Sequence, residues 1–307
     1  MNQFYVGVDV GGTTIKMGLF SDTGELLEKW EIPTRLEEQG SHILPDIVDS
    51  LEKKRAERGG NIKGIGVGIP GPVTDDGVVL KCANLGWDIF SVKNKLASLT
   101  GVANVKVGND ANVAALGEMW KGGGRGYDSI VMVTLGTGVG GGIIQQGKIL
   151  TGSKGAGGEI GHTKVNPGET KSCGCGNKGC LEQYASATGI VHMAKEGLRE
   201  DSCLAGQEIT AKAVFDGAKA GDAYCLEIVE QFGRYLGLAL SNVAHVIDPE
   251  AFVIGGGVSA AGQIILDVVK KYYEENSMYA IKERDFHLAQ LGNDAGIYGT
   301  VRMVMFK

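Results

Sequence analysis

The sequence predicts an α/β protein whose mixed sheets form two lobes. Short apolar strands alternate with amphipathic helices while hairpins survive intact. One unit, a strand, a glycine turn and a returning strand, also occurs twice, each time with Gly-Thr at its turn. Composition agrees. The 307 residues hold 50 glycines and only 6 prolines, more than twice glycine's usual ~7% share. These glycines come in short bursts between apolar β-branched runs, where backbone must turn sharply or approach a ligand closely. At 43% hydrophobic and 21% charged, with roughly two domains' worth of chain, a substantial core can form.

Phe4–Asp9 is rich in valine and reads as a buried strand that ends at Gly11-Gly12-Thr13-Thr14 and resumes as Ile15–Phe20. Ser21–Gly24 is a turn and Glu25–Ile32 a third strand, completing an antiparallel meander. From Ser41 to Arg58, Ile43, Ile47, Val48 and Leu51 recur at helical spacing, and Gly59-Gly60 closes that helix. Ile62–Ile69 is a strand broken by Pro70-Gly71-Pro72. Val105–Val107 is a short strand, and Ala111–Trp120 a helix ending at Gly122-Gly123-Gly124. The second strand–turn–strand unit is Ser129–Leu135, Gly136-Thr137-Gly138 and Val139–Gln145. Cys173–Glu182 is an irregular, glycine-rich insertion. Between Asp222 and Ile247, Leu226, Val229, Leu236, Leu240, Val243 and Ile247 fall three, four or seven apart, the mark of a long helix stopped by Pro249. Ala251–Ile254 is a strand that delivers Gly255-Gly256-Gly257 to a helix starting near Ser259. Met303 and Met305 read as packing residues of a C-terminal helix.

Thirty basic and 36 acidic residues leave a net charge of −6. No basic cluster exceeds Lys53-Lys54-Arg55, so neither a nucleic acid nor a membrane surface is an expected partner. A polyanionic ligand must be held by local backbone dipoles against that overall field. No apolar run approaches the ~18 residues of a bilayer span, and no charged leader precedes the first strand. A cytoplasmic location is expected.

Glycines at a hairpin turn leave backbone N–H groups uncovered, and such nests bind phosphate oxygens without side-chain charge. Asp9-Val10-Gly11-Gly12-Thr13-Thr14-Ile15-Lys16 offers one nest, with a hydroxyl from Thr13 and a carboxylate, Asp9, able to hold Mg²⁺ through water. A plain glycine hairpin is the bland alternative. Gly136–Gly141 contains Gly-x-Gly-x-x-Gly, but a strand follows where a dinucleotide fingerprint requires a helix. Two such turns, joined by Gly255-Gly256-Gly257 at a strand end, say more than either alone. Asp110 sits between a strand and a helix; it can serve as the base of a phosphoryl transfer or simply as the helix N-cap, and position does not decide. Cys173, Cys175 and Cys180, spaced by glycines, join His162 in a Cys₃His set. Structural Zn²⁺ fits it, since protein fills all four positions; a redox dithiol is the weaker rival. The other histidines, and Cys82, Cys203 and Cys225, read as ordinary core or surface residues.

Taken together, these residues resemble the ROK family of sugar kinases over essentially the whole chain. The matching stretches are Asp9–Lys16, Gly66–Val73, Asn84–Trp87, Asn109–Asn112, Glu159-x-Gly161-His162 and the knuckle from Cys173 to Glu182. Within the family, Asn84–Trp87 and Leu181–Ser186 look most like the glucokinases of Gram-positive type. The resemblance implies an actin/hexokinase-like fold with ATP and sugar in an interlobe cleft. Its small lobe would be residues 1–109 plus 293–307, and its large lobe 110–292. It implies Asp110 as catalytic base, and Asn84, Asn109, Asp110, Glu159, His162 and Glu182 as holders of sugar hydroxyls. Phosphates would fall to Asp9, Gly11, Gly12, Thr13, Thr14, Lys16, Thr137 and Gly138, and adenosine to Gly256 and Gly257. ATP, Mg²⁺ and structural Zn²⁺ are the implied cofactors, with a homodimer or homotetramer as assembly. Glucose phosphorylation at the 6-hydroxyl is the implied activity, with N-acetylmannosamine or another hexose as alternative substrate. Sugar-sensing repressors of the family carry a helix-turn-helix ahead of the phosphate motif; here that motif begins at residue 9, which disfavours the reading.

Overall fold

The computed structural model describes residues 3–306. Its first part runs through β1 (Gln3–Val10), β2 (Thr14–Phe20), β3 (Leu26–Pro33), β4 (Asn61–Ile69), the two-residue β5 (Val78–Val79) and β6 (Phe90–Ser91), and β7 (Val105–Asn109). The first sheet has the order β3-β2-β1-β4-β7. β1, β2 and β3 pair antiparallel, as the meander predicts, whereas β1, β4 and β7 are parallel. The register sets Asp9 opposite both Lys16 and Gly68, and Ile69 opposite Asn109. The carboxyl ends of three parallel strands therefore meet at one edge, where α/β sheets bind ligands.

Alternation along β1 explains its two buried faces. Val6, Val8 and Val10 belong to one core with Ile43, Ile47 and Leu51 of the helix Ile43–Arg58 and Val92 and Leu96 of the helix Val92–Thr100. Tyr5 lies in a separate cluster with Ile297, Val301 and Val304 of the helix Ala295–Met305. Glycine makes that second contact possible. A Cβ on Gly66 would lie 1.9 Å from the Thr300 carbonyl oxygen, and one on Gly299 would lie 1.6 Å from that of Val113. The Ala295–Met305 helix is thus wedged, backbone against backbone, between the sheet and the helix Asp110–Lys121. Glu118, fully buried, accepts from the N–H groups of Gly123 and Leu291 and ties the ends of both segments together.

The second sheet adds β8 (Ile130–Leu135), β9 (Val139–Gln145), β10 (Lys148–Ile149), β11 (Ala251–Gly255) and β12 (Asp285–Leu288), in the order β10-β9-β8-β11-β12. β8, β11 and β12 are parallel. The predicted long helix is Ala223–Ile247, capped by Asp222 and ended by Asp248 in the left-handed region just before Pro249. The helix expected near Ser259 begins as a 3₁₀ turn, Gly257–Ala261, and becomes α-helical only at Gln263–Asn276. Among the described residues no helix is long and apolar enough to cross a membrane.

The chain groups into two compact units. One comprises the described residues up to Gly126, Gly142–Gly158 and those from Leu291 on; the other comprises Tyr127–Gly141 and Glu159–Gln290. Residues 110–126 and 142–158 fall in the first of these units. The glycine crossing of Asp110–Lys121 on Ala295–Met305 holds the former there.

Candidate active site

Asp9 is the penultimate residue of β1 and faces Lys16 across the ladder. Burial, then the nearby charge of Asp110, push its carboxyl up from 3.8 to about 6, with Lys16 opposing. Gly296 is what lets the Ala295–Met305 helix come so close, since a Cβ there would lie 2.5 Å from an Asp9 carboxylate oxygen. In the turn beyond, Gly11 donates to the Thr14 carbonyl (3.0 Å), and the Thr34 hydroxyl donates to the Gly11 carbonyl (2.7 Å). Both contacts hold the hairpin while Gly12 and Thr13 stay exposed at its tip. The Lys16 ammonium donates to the Asn293 carbonyl.

The structure shows which residue caps the helix that Asp110 begins. The helix begins one residue earlier than the apolar pattern predicts, and its N-cap is Asn109, whose Oδ1 accepts from the Asn112 N–H at 3.1 Å. Asp110 is the first helical residue; one of its oxygens accepts from the Ala111 N–H (2.8 Å). Asn109 also donates through Nδ2 to the Gly71 carbonyl at 3.1 Å. One amide hydrogen and one oxygen lone pair of Asn109 remain for other partners. Asn84 lies exposed in the 3₁₀ turn Ala83–Leu85, a loop anchored by buried Trp87, whose ring N–H donates to the Gly40 carbonyl at 3.1 Å.

In the second unit, the Gly136–Gly138 turn is closed by Gly136 donating to the Gly138 carbonyl (3.0 Å) and braced from outside by Ala187 donating to the Gly136 carbonyl (2.8 Å). Glu182 accepts from the Val139 N–H (3.1 Å), and a Cβ on Gly138 would collide with the same carboxylate oxygen at 2.3 Å. Its other oxygen is 3.6 Å from Cys173 Sγ, so this one carboxylate joins the glycine turn to the cysteine knuckle. Glu159 is exposed at the head of the 3₁₀ turn Ile160–His162.

The predicted metal ligands converge. One donor atom from each of His162, Cys173, Cys175 and Cys180 lies within 4.8 Å of all the others. Cys175 and Cys180 Sγ are 3.6 Å apart, and His162 Nδ1 is 3.8 Å from Cys173 Sγ. A tetrahedral zinc with ~2.3 Å bonds to sulfur needs edges of about 3.8 Å, so the donor set fits that ion in number, type and spacing. Burial pushes the Cys180 thiol up to about 12 and raises Cys173, while a backbone hydrogen bond at Asn177 lowers Cys175.

A cavity of about 360 Å³, mostly apolar, opens beside the second turn. Gly136, Thr137, Gly257 and Val258 line it, together with Ala211 and Phe215. The Lys212–Asp216 ion pair stands at its wall. Gly256 makes the turn at this cavity with φ +83°, and a Cβ there would sit 2.5 Å from the Leu135 carbonyl oxygen, so only glycine fits. The sequence pointed to the glycines of this wall and missed the helix Ala211–Lys219 opposite them. Its signal was a Thr210 cap followed by Ala211, Val214, Phe215 and Ala218 at helical spacing.

The chain belongs to the ROK family, whose model matches residues 5–306. It is 46% identical to a glucokinase of Halalkalibacterium halodurans over 97% of this chain and 94% of that one. Among solved structures it superposes on a ROK hexokinase from Thermus thermophilus with TM-score 0.80 and 31% identity, covering 98% of this chain and 97% of the other. A ROK glucokinase from Streptomyces griseus, in complex with glucose and AMPPNP, is matched with TM-score 0.73 and 33% identity over 98% and 99% of the two chains. The two-unit α/β fold expected from the sequence is the fold of these enzymes.

Proposed function

We propose that the chain is an ATP-dependent glucokinase, transferring the γ-phosphoryl group of ATP to the 6-hydroxyl of glucose. The observation that carries this reading is the 46% identity to a glucokinase across nearly the whole of both chains. Asp110, not needed as the helix cap, takes the proton of the attacking hydroxyl. Asn84, Asn109, Glu159, His162 and Glu182 bond the sugar hydroxyls. His162 directs Nδ1 to the cysteines, which leaves Nε2 for the sugar. The exposed N–H groups of Gly12 and Thr13, with Gly11, Thr14 and Lys16, and those of Thr137 and Gly138, receive the phosphates. Gly256, Gly257 and the apolar cavity receive adenosine. Mg²⁺, when bound, neutralises charge on the transferring phosphates, and Asp9 is placed to hold it. Zinc on His162, Cys173, Cys175 and Cys180 is positional: its four ligands fix the ring of His162 and the start of the Glu182 segment, and leave no position for a water. A cytoplasmic homodimer or homotetramer is the corresponding assembly.

The test is phosphorylation by ATP·Mg²⁺ across glucose, mannose, fructose and N-acetylmannosamine. A site that bonds each hydroxyl leaves buried groups unpaired when one is changed, so glucose should give the highest kcat/KM. A higher value with N-acetylmannosamine would overturn the glucose assignment.

A further inference from the structure

Away from these sites, the loop before the Ala211–Lys219 helix meets the start of the Ala223–Ile247 helix at a second pair of cysteines. Cys203 is exposed and Cys225 fully buried, with their Sγ atoms 3.8 Å apart. One carboxylate fixes both backbones: Asp222 accepts from the Cys203 N–H (2.6 Å) and from the Cys225 N–H (2.8 Å). Gly217 roofs the pair. A Cβ there would lie 2.5 Å from one sulfur and 2.7 Å from the other. The two sulfurs are therefore in van der Waals contact, held from below by a shared anchor and from above by a residue without a side chain.

We propose that Cys203 and Cys225 form an oxidisable dithiol whose co-reactant is a small-molecule disulfide, and which closes to an intramolecular disulfide. Cys203 alone is reachable from solvent, so it reacts first. Its thiolate, having lost its proton to water, attacks one sulfur of the reagent, forms a mixed disulfide and expels a thiolate that takes up a proton. Cys225 then attacks Cys203 Sγ, passing its proton to the second departing thiolate as the protein disulfide forms. Two protein thiols are oxidised and one reagent disulfide is reduced to two thiols. Closing the gap from 3.8 Å to the ~2.0 Å of a bond asks for a shift of under about 2 Å, which the exposed loop bearing Cys203 can make. Burial, first among the causes, pushes the Cys225 thiol up to about 12, so its attack quickens as pH rises. Asp222, held far below its usual range by the same two N–H bonds, stays ionised throughout.

The experiment treats the full-length zinc-loaded protein with oxidised glutathione, then denatures it, alkylates free thiols and maps the digest by mass. The expected result is a linked peptide pair joining Cys203 to Cys225 and a loss of two alkylatable thiols. In Cys225→Ser the same treatment should leave a stable glutathione adduct on Cys203, and in Cys203→Ser no adduct on residue 225. Wild-type protein that retains glutathione on Cys203 with Cys225 still alkylatable would overturn the proposal. So would a second equivalent of zinc that is lost in Cys203→Ser but kept in Cys175→Ser, because the pair would then be a metal site.

Discussion

Replacing Asp9 by Asn should stabilise the protein at neutral pH while removing its activity. The carboxyl is raised from 3.8 to about 6 by burial and by Asp110. A tenfold change in proton affinity corresponds to ~1.4 kcal/mol, so the ceiling is about 3 kcal/mol; partial contact with water brings the expectation to about 1–2 kcal/mol. The folded state holds its proton more tightly than the unfolded chain, so stability falls as pH rises from about 4 to about 6. Above that window the full penalty of the buried charge remains. Asparagine carries no such charge. The difference in unfolding free energy between variant and parent should be near zero at pH 4, grow through pH 5 and level off above pH 6.5. Urea unfolding at a series of pH values, on protein free of nucleotide and divalent metal, measures it, and the titrations of groups not coupled to Asp9 cancel in the difference. A difference that does not change with pH, or a variant less stable than its parent at pH 8, would refute the reasoning.

Asp110→Asn should retain its helix and its melting temperature, because Asn109 is the cap, yet lose about 10²–10⁴ in kcat; near-normal turnover would remove Asp110 from the chemistry. Cys175→Ser should lose its one equivalent of zinc and raise KM for glucose by about tenfold or more while changing KM for ATP little, as metal analysis and steady-state kinetics would show. A Cβ on Gly257 meets open space, so Gly257→Leu should fold normally, part-fill the apolar cavity beside it and, on the proposed function, raise KM for ATP alone. Gly299→Ala places a methyl 1.6 Å from the Val113 carbonyl oxygen; the helices must separate, at a cost of about 3 kcal/mol or more in thermal or urea unfolding.

Much of the fold could be read from its apolar patterns, because the long elements carry one clear pattern each. β1 is a short valine-rich run buried on both faces, and the Ala223–Ile247 helix repeats its apolar residues every three or four positions. What escaped is set by packing at a distance. Val92–Thr100 and Ala211–Lys219 are each 9 residues long, and neither apolar stripe stands out until the sheet or cavity it covers is known. The start of the Asp110 helix slipped by one because Asn109 and Asp110 both cap well in principle, and only the backbone at Asn109 (φ −65°, ψ 144°) shows which one does. Of the site, the cluster of His162, Cys173, Cys175 and Cys180 was legible, since its chemistry is local and its spacing short. Glu182's grip on the Val139 N–H was not, since 43 residues separate the partners.

The wedged helix also bears on how the protein is made. Ala295–Met305 fills a slot between β1, β4 and the Asp110–Lys121 helix, yet it leaves the ribosome after all of them. Until it arrives, Gly7, Gly66 and Gly117 face a groove with no occupant, and Tyr5 and Phe20 lack the apolar partners that this helix supplies. The other unit, Tyr127–Gly141 with Glu159–Gln290, emerges in full beforehand. The unit begun first is therefore the one completed last, although its larger core, from Phe4 to Val107, needs nothing from that helix.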